Sequence, residues 1–174
     1  MRTAWFTSVE SRRSNPVTRQ LQPQPLTASI DVAASPCEVW RVVSDVRRTG
    51  EWSPECSRVL VLGRLRVGAL LIGVNRRKHV RWVTLSRVIT CSPGQEIGRV
   101  VLTNRSEWRY QLQPSATGTS ITHIRRTPRG ESRFALLFTQ ALLGGQACHD
   151  AELEQGMNQG LGRIKAIVEA LPSR

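Results

Sequence analysis

The chain has 174 residues and a formal net charge of +12, with 25 Lys and Arg against 13 Asp and Glu. Its length suits a single domain. A domain of this size buries about two thirds of the surface that the unfolded chain exposes. No apolar run approaches the roughly 20 residues of a membrane span, which excludes integral membrane insertion.

Residues 1–25 form a region of distinct composition, rich in Arg, Ser, Gln and Pro. They contain no apolar stretch of the length that a signal peptide needs. We therefore expect a disordered basic N-terminal extension, followed by one domain over residues 26–171, in a cytoplasmic protein. A basic extension of this kind favours an acidic partner.

The domain should begin with a strand and a short helix. Residues 26–33 alternate apolar and polar side chains, which predicts a strand. Ser35 and Glu38 stand at the spacing of a capping box, and Pro36 suits the first helical position. The helix should end at residue 45 or 46.

A second, shorter helical segment is expected next. Residues 49–54 are interrupted by Gly50 and Pro54 and are too short for a full helix. One or two turns here should bring Trp52 back toward the core, because an isolated exposed tryptophan leaves a large apolar surface in water.

Six further strands are indicated by apolar patterning between turn signals such as Ser92-Pro93-Gly94. They are predicted over residues 57–62, 69–75, 80–91, 96–103, 105–112 and 119–126. Short turns between consecutive strands favour an antiparallel sheet.

The chain should end in an amphipathic helix within residues 134–171. Apolar residues recur there at intervals of three and four, which places them along one side of a helix. They are Leu153, Met157, Leu161, Ile164, Val168 and Leu171. A second apolar set over residues 134–142 precedes Gly144 and Gly145, where we expect a kink or break because each glycine costs about 1 kcal/mol in a helix.

These elements favour an α+β fold in which a strongly curved antiparallel sheet clasps the terminal helix, because that arrangement buries both apolar faces. Several short motifs support the same fold by resemblance. They are Ile30-Asp31-Val32, Ser35-Pro36-x-x-Val39-Trp40, Val43-Ser44-Asp45-Val46, Gly50-Glu51-Trp52-Ser53-Pro54-Glu55-Cys56, Asn75-Arg76-Arg77, Ser92-Pro93-Gly94, Trp108-Arg109-Tyr110, Gly118-Thr119 and His149-Asp150-Ala151-Glu152-Leu153 with Met157. On these residues the chain resembles the SRPBCC, or START-like, helix-grip superfamily, and most closely the polyketide cyclase/dehydrase-like proteins of actinobacteria.

The resemblance covers residues 26–171 and implies a specific architecture. It implies a seven-stranded curved antiparallel sheet wrapped around a long C-terminal helix, with two short helices after the first strand. It also implies a hydrophobic tunnel, which in relatives takes lipids, sterols, aromatic polyketides or plant hormones. It implies no particular reaction, because one fold hosts many functions.

The tunnel wall is expected to combine residues of the sheet, the second short helix and the terminal helix. An apolar wall with a few polar groups is typical of a ligand site. The candidate ligand-binding residues are Trp52, Trp82, Trp108, Tyr110, Ile121, His123, Leu153, Met157 and Leu161. Each of them could instead simply fill the core.

Catalysis by the same site is an open alternative. Cyclase chemistry on a poly-β-ketone needs groups that polarise carbonyls and move a neighbouring proton. His123 and Tyr110 lie on adjacent predicted strands and face inward, so they are the candidate catalytic residues, although a lone inward histidine is more often a core residue.

No metal or cofactor site is expected. The four cysteines lie far apart without metal-ligand spacing, and the nucleotide-binding and serine hydrolase motifs are absent. His149, Asp150 and Glu152 are interpreted as solvated helix positions.

Two groups of basic residues leave nucleic acid as an alternative partner. They are Arg76, Arg77, Lys78 and Arg81, and Arg125, Arg126, Arg129 and Arg133. The preferred hypothesis is a carrier or sensor of a hydrophobic small molecule, with cyclase or dehydrase activity left open. The alternative is a basic regulatory or toxin-like interaction protein; the sequence leaves ligand identity and oligomeric state open.

Overall fold

The computed structural model describes residues 24–128 and 146–172, with side chains given outside residues 146–150. Within these ranges the elements are β1 (Leu26–Val32), α1 (Pro36–Val43), a 3₁₀ helix (Val46–Glu51), β2 (Cys56–Leu62), β3 (Leu70–Arg77), β4 (Val80–Ser92), β5 (Glu96–Val101), β6 (Glu107–Ser115), β7 (Gly118–Arg126) and α2 (Gln146–Glu169). Most of the expected N-terminal extension, and the apolar set over residues 134–142 with its glycine pair, lie outside the described residues.

The strands form one seven-stranded antiparallel sheet in the order β1-β7-β6-β5-β4-β3-β2. Strands β2 to β7 are paired in sequence order through short turns, and β1 adds to the edge of β7. Register shifts in β2 and β4 mark irregularities that bend a sheet. The predicted α+β helix-grip fold, with two short helices after the first strand, is therefore confirmed.

The first helix begins as its sequence predicts. The Ser35 hydroxyl accepts the backbone N–H of Glu38, and the Glu38 carboxylate accepts the backbone N–H of Ser35 at 2.8 Å. Helix α1 ends at Val43, two or three residues before the predicted end, and the chain then tightens into the 3₁₀ helix. This short turn leaves Trp52 only 1% exposed, as predicted.

Helix α2 lies against β1 and α1 and is held at both ends by polar contacts. Near its C-terminus Lys165 Nζ donates to the Asp31 carbonyl at 2.7 Å, and Glu169 accepts the Ala33 N–H at 2.9 Å. Near its N-terminus Arg77 Nε donates to Glu152 at 2.6 Å. These contacts fix the helix across the open side of the sheet.

The apolar side of α2 is the one that the sequence predicts, with one exception. Leu153, Met157, Leu161, Ile164 and Val168 are all buried. Leu171 is 42% exposed, so its assignment to the buried side was wrong. The helix ends at Glu169, and Pro172 disfavours helical geometry at the residue before it.

No helix among the described residues is long and apolar enough to cross a membrane.

Candidate functional site

A cavity of about 330 Å³ lies between the concave face of the sheet and α2. Its volume falls at the lower end of the range of ligand sites, which is about 300–1,000 Å³. The segment around Trp52 closes one side, and α2 contributes Leu153, Gly156, Met157 and Gly160. The cavity is therefore bounded by all three parts of the fold that were expected to form a tunnel.

The period-two geometry of the strands decides which side chains face this cavity. On β6 the inward residues are Trp108 and Tyr110, and on β7 they are His123 and Arg125. Glu107 and Arg109, which alternate with these residues along β6, form an ion pair away from the cavity. The strand pattern in the sequence thus predicts the inner face.

Seven of the nine predicted ligand-binding residues line the cavity: Trp52, Trp82, Trp108, Tyr110, His123, Leu153 and Met157. The structure places the other two, Ile121 and Leu161, in the solid core, where they are 0% and 1% exposed. Ile121 is paired in the strand register with Ile30 on one side and Leu112 on the other. Leu161 lies one turn beyond Met157 and belongs to the buried core cluster.

Two glycines allow α2 to approach the segment that carries Trp52. A Cβ atom at Gly156 would lie 2.9 Å from Cγ of Pro54, and one at Gly160 would lie 3.3 Å from the Trp52 carbonyl oxygen. Because both glycines line the cavity, the close approach defines one of its walls.

The polar aromatic residues of the wall form a stack. The rings of Tyr110 and His123 are stacked with centroids 4.2 Å apart, and Trp108 lies 5.5 Å from His123. The guanidinium of Arg125 lies 5.8 Å from the centre of the Trp108 ring. Flat aromatic faces therefore cover the β6–β7 side of the cavity.

The two candidate catalytic residues are both held in their neutral forms. Burial, reinforced by the positive charge of Arg99, lowers the pKa of His123 to about 3. Burial raises the pKa of Tyr110 to about 12, although the charge of Arg99 and the Trp52 indole N–H, which lies toward the Tyr110 oxygen without reaching hydrogen-bond geometry, act in the opposite direction. At neutral pH His123 therefore has little capacity to accept a proton, and Tyr110 remains a hydrogen-bond donor.

Two buried polar atoms of the cavity wall have no hydrogen-bond partner among the described residues. They are Nε1 of Trp52 and Nδ1 of His123. Buried polar groups are usually satisfied, so each such exception calls for an explanation. Both residues line the cavity, where a bound molecule could supply the missing partner.

Charged residues of the cavity wall were missed by the sequence reasoning. Arg99 projects from β5, and Glu55 and Glu152 lie at the side closed by the 3₁₀ segment and α2. Burial raises the pKa of Glu55, while the charges of Arg77 and Arg125 lower it and that of Glu152 raises it. The sequence does contain one indication for Arg99. It lies two residues from both Ile97 and Val101, so strand alternation places it on the same inward face as these apolar residues.

The predicted arginine groups are partly internal. Arg77 pairs with Glu152, and Arg125 is 8% exposed and faces the cavity. Glu152 is thus an ion-pair partner in the cavity wall and not merely a solvated position. Arg129 and Arg133 lie outside the described residues, and nucleic-acid binding stays a prediction.

No cluster of three or more potential metal ligands occurs among the described residues. The side chains of His149 and Asp150 lie outside that description.

Comparisons with known proteins identify the family. The family profile described as polyketide cyclase/dehydrase and lipid transport matches residues 23–169. Comparison with curated proteins finds no significant match.

Solved structures show the same fold. A polyketide-cyclase-like protein from Corynebacterium glutamicum is 26% identical, with 85% of this chain and 91% of that chain covered and a TM-score of 0.53. A protein from Nitrosomonas europaea is 15% identical, with 83% and 94% covered and a TM-score of 0.61. The di-domain ARO/CYC StfQ from the steffimycin biosynthetic pathway is 14% identical, with 83% of this chain and 50% of that chain covered and a TM-score of 0.66.

Proposed function

This chain belongs to the polyketide cyclase/dehydrase and lipid transport family, and we propose that it binds a hydrophobic small molecule in the cavity between the sheet and α2. The role is that of a carrier or sensor, in which binding itself is the function. The observation that carries the proposal is the cavity of about 330 Å³, whose wall contains three tryptophans and two unpartnered polar atoms.

The wall chemistry supports an apolar occupant with limited polarity. Trp82, Trp108 and Met157 offer large apolar or polarisable surfaces. Removing apolar ligand surface from water contributes about 25 cal/mol per Å². The few polar atoms, such as Nε1 of Trp52, fix orientation, as is typical of small-molecule sites.

Binding without turnover is favoured because the predicted acid–base pair is poorly suited to proton transfer. An efficient general base has a pKa near the working pH. The pKa values of about 3 for His123 and about 12 for Tyr110 lie far from neutrality on either side. The two residues therefore support ligand packing and hydrogen bonding better than catalysis.

A cyclase-like activity remains a second candidate because of one residue, Glu55. Its raised pKa and its place in the cavity wall suit a carboxylate that takes a proton from the carbon next to a ketone. The Tyr110 hydroxyl is then a donor for the carbonyl oxygen. In that case Glu55→Gln abolishes turnover of a poly-β-ketone substrate and leaves probe binding unchanged.

The binding proposal is tested by titration with N-phenylnaphthylamine, a neutral apolar dye whose emission rises in apolar surroundings. Met157→Trp adds an indole ring to the cavity wall, whereas Asn158→Trp adds the same ring on the exposed side of α2. Dye binding should be saturable with the wild type and Asn158→Trp, and should be lost with Met157→Trp while far-ultraviolet circular dichroism is retained.

Equal dye binding by both tryptophan variants would contradict the cavity as the binding site. Absence of saturable binding to the wild type would contradict the proposed function itself.

A further inference from the structure

Arg99 places a positive charge in the wall of a largely apolar cavity. It stands on the inner face of β5, directly across from Trp108 in the strand register. Among the side chains described, those of residues 24–128 and 151–172, none forms a hydrogen bond or ion pair with its guanidinium. Arg99 is only partly buried, so its unpaired guanidinium is available to a ligand group in the cavity.

The two acidic residues that line the cavity are Glu152 and Glu55, and neither pairs with Arg99 among the described residues. Glu152 accepts the Nε hydrogen of Arg77 at 2.6 Å. Burial raises the pKa of Glu55, although the charges of Arg77 and Arg125 act in the opposite direction, so Glu55 is a poor counterion. The carboxylates therefore leave the charge of Arg99 without a counterion.

The groups that do feel the charge of Arg99 are neutral. They are Tyr110, His123 and Cys56, all in the cavity wall. Burial raises the pKa of the Cys56 thiol and of the Tyr110 hydroxyl, so neither supplies an anion at neutral pH. These neighbours therefore do not provide a counterion for Arg99.

Two atoms of the same wall have no hydrogen-bond partner and could bind a polar group of a ligand. Nε1–H of Trp52 is a donor only and needs an acceptor, and Nδ1 of His123 donates or accepts according to its tautomer. Trp52 and His123 are 1% and 9% exposed. Both residues line the same cavity as Arg99, so a ligand group with acceptor oxygens suits the Trp52 donor and the positive charge.

We propose that the ligand is a hydrophobic acid whose single carboxylate is bound by Arg99, an inference that rests on the proposed binding function. A guanidinium donates two parallel hydrogen bonds to a carboxylate. One unpaired cation matches a monoanion, whereas a phosphate dianion would leave excess charge in an apolar site. The apolar remainder of the acid packs against Trp82, Trp108 and Met157.

The experiment compares decanoic acid with decanol, which share a chain and differ in charge, below the concentration at which either aggregates. Binding is measured by isothermal titration calorimetry at neutral pH. The acid should bind the wild type at least about tenfold more tightly than the alcohol, or about 1.4 kcal/mol. Arg99→Met should remove this preference by weakening binding of the acid, whereas Arg87→Met, at an exposed position on β4, should retain it.

The outcomes separate this inference from the proposed function. Binding of acid and alcohol with equal affinity to the wild type overturns the carboxylate assignment and leaves the binding function standing. An unchanged preference in folded Arg99→Met overturns the role of Arg99. Binding of neither compound to the wild type overturns both proposals. The wild-type comparison needs no variant, so it decides the ligand class even if Arg99→Met fails to fold.

Discussion

The imidazole of His123 lies stacked on the phenol ring of Tyr110, with ring centroids 4.2 Å apart and planes inclined by 20°. The two residues are direct partners in the register of β6 and β7. Because both side chains are neutral at neutral pH, the pair forms an uncharged aromatic surface beside Arg99. This surface is better suited to holding an apolar ligand than to moving protons.

The buried His123 predicts a loss of stability in mild acid. Its pKa is about 3 in the folded protein and near 6.5 when unfolded, so only the unfolded chain gains a proton between these values. Stability from this residue is therefore fully present above the unfolded pKa and is lost as the pH falls. The expected slope is about 1.4 kcal/mol per pH unit. Urea denaturation at a series of pH values measures it.

His123→Gln should flatten this part of the pH dependence relative to the wild type. His79→Gln is the matched control, because His79 lies exposed in the turn between β3 and β4. A wild-type slope that persists in His123→Gln would show that other groups cause it.

The close approach of α2 to Pro54 predicts opposite effects of two identical substitutions in one helix. Gly162→Ala meets no atom within 4 Å and should stabilise the protein by about 1 kcal/mol through helix propensity. Gly156→Ala places a Cβ atom 2.9 Å from the rigid ring of Pro54 and should destabilise it. Chemical denaturation of both variants measures the difference, and equal stabilisation by both would contradict the described packing.

Because Glu55 lies partly buried in the cavity wall, we expect the Glu55→Gln variant to be more stable than the wild type, by an amount that depends on pH. Burial raises its pKa, so the folded state favours the protonated form. Stability from this group is fully present below the unfolded pKa and is lost as the pH rises through the folded pKa. Glu55→Gln should therefore be more stable than the wild type at neutral pH, with a smaller difference in acid, as measured by thermal denaturation.

Glu154→Gln serves as the control for this prediction, because Glu154 lies on the exposed side of α2. If Glu55→Gln destabilises the protein at neutral pH, the attraction of Glu55 to Arg77 and Arg125 outweighs its desolvation.

Local features of the fold could be predicted from the sequence because they depend on residues close together in the chain. The capping box of Ser35 and Glu38 is complete within four positions and fixes where α1 begins. Alternation along β6 and β7 correctly assigns the inward side of Trp108 and His123. Periodicity therefore identifies which face of an element is buried.

Periodicity does not say where along a face the interior is hollow. Ile121 and Leu161 share the faces of His123 and Met157, yet they pack in the solid core because the helix and sheet close together there. Arg99 was overlooked for a related reason, since a charged residue on an inner face is informative only once its partners are known. Those partners come from tertiary packing, which periodicity does not encode.

The central claim, that the cavity receives a hydrophobic ligand, is tested most directly by recording the indole N–H resonances during titration with N-phenylnaphthylamine. Trp52, Trp82 and Trp108 line the cavity, whereas Trp40 on α1 does not and provides an internal control. Phenylalanine variants assign the signals. Saturable shifts of the Trp52 and Trp108 signals with Trp40 unmoved are expected; dye binding that leaves those two signals unchanged would contradict the account.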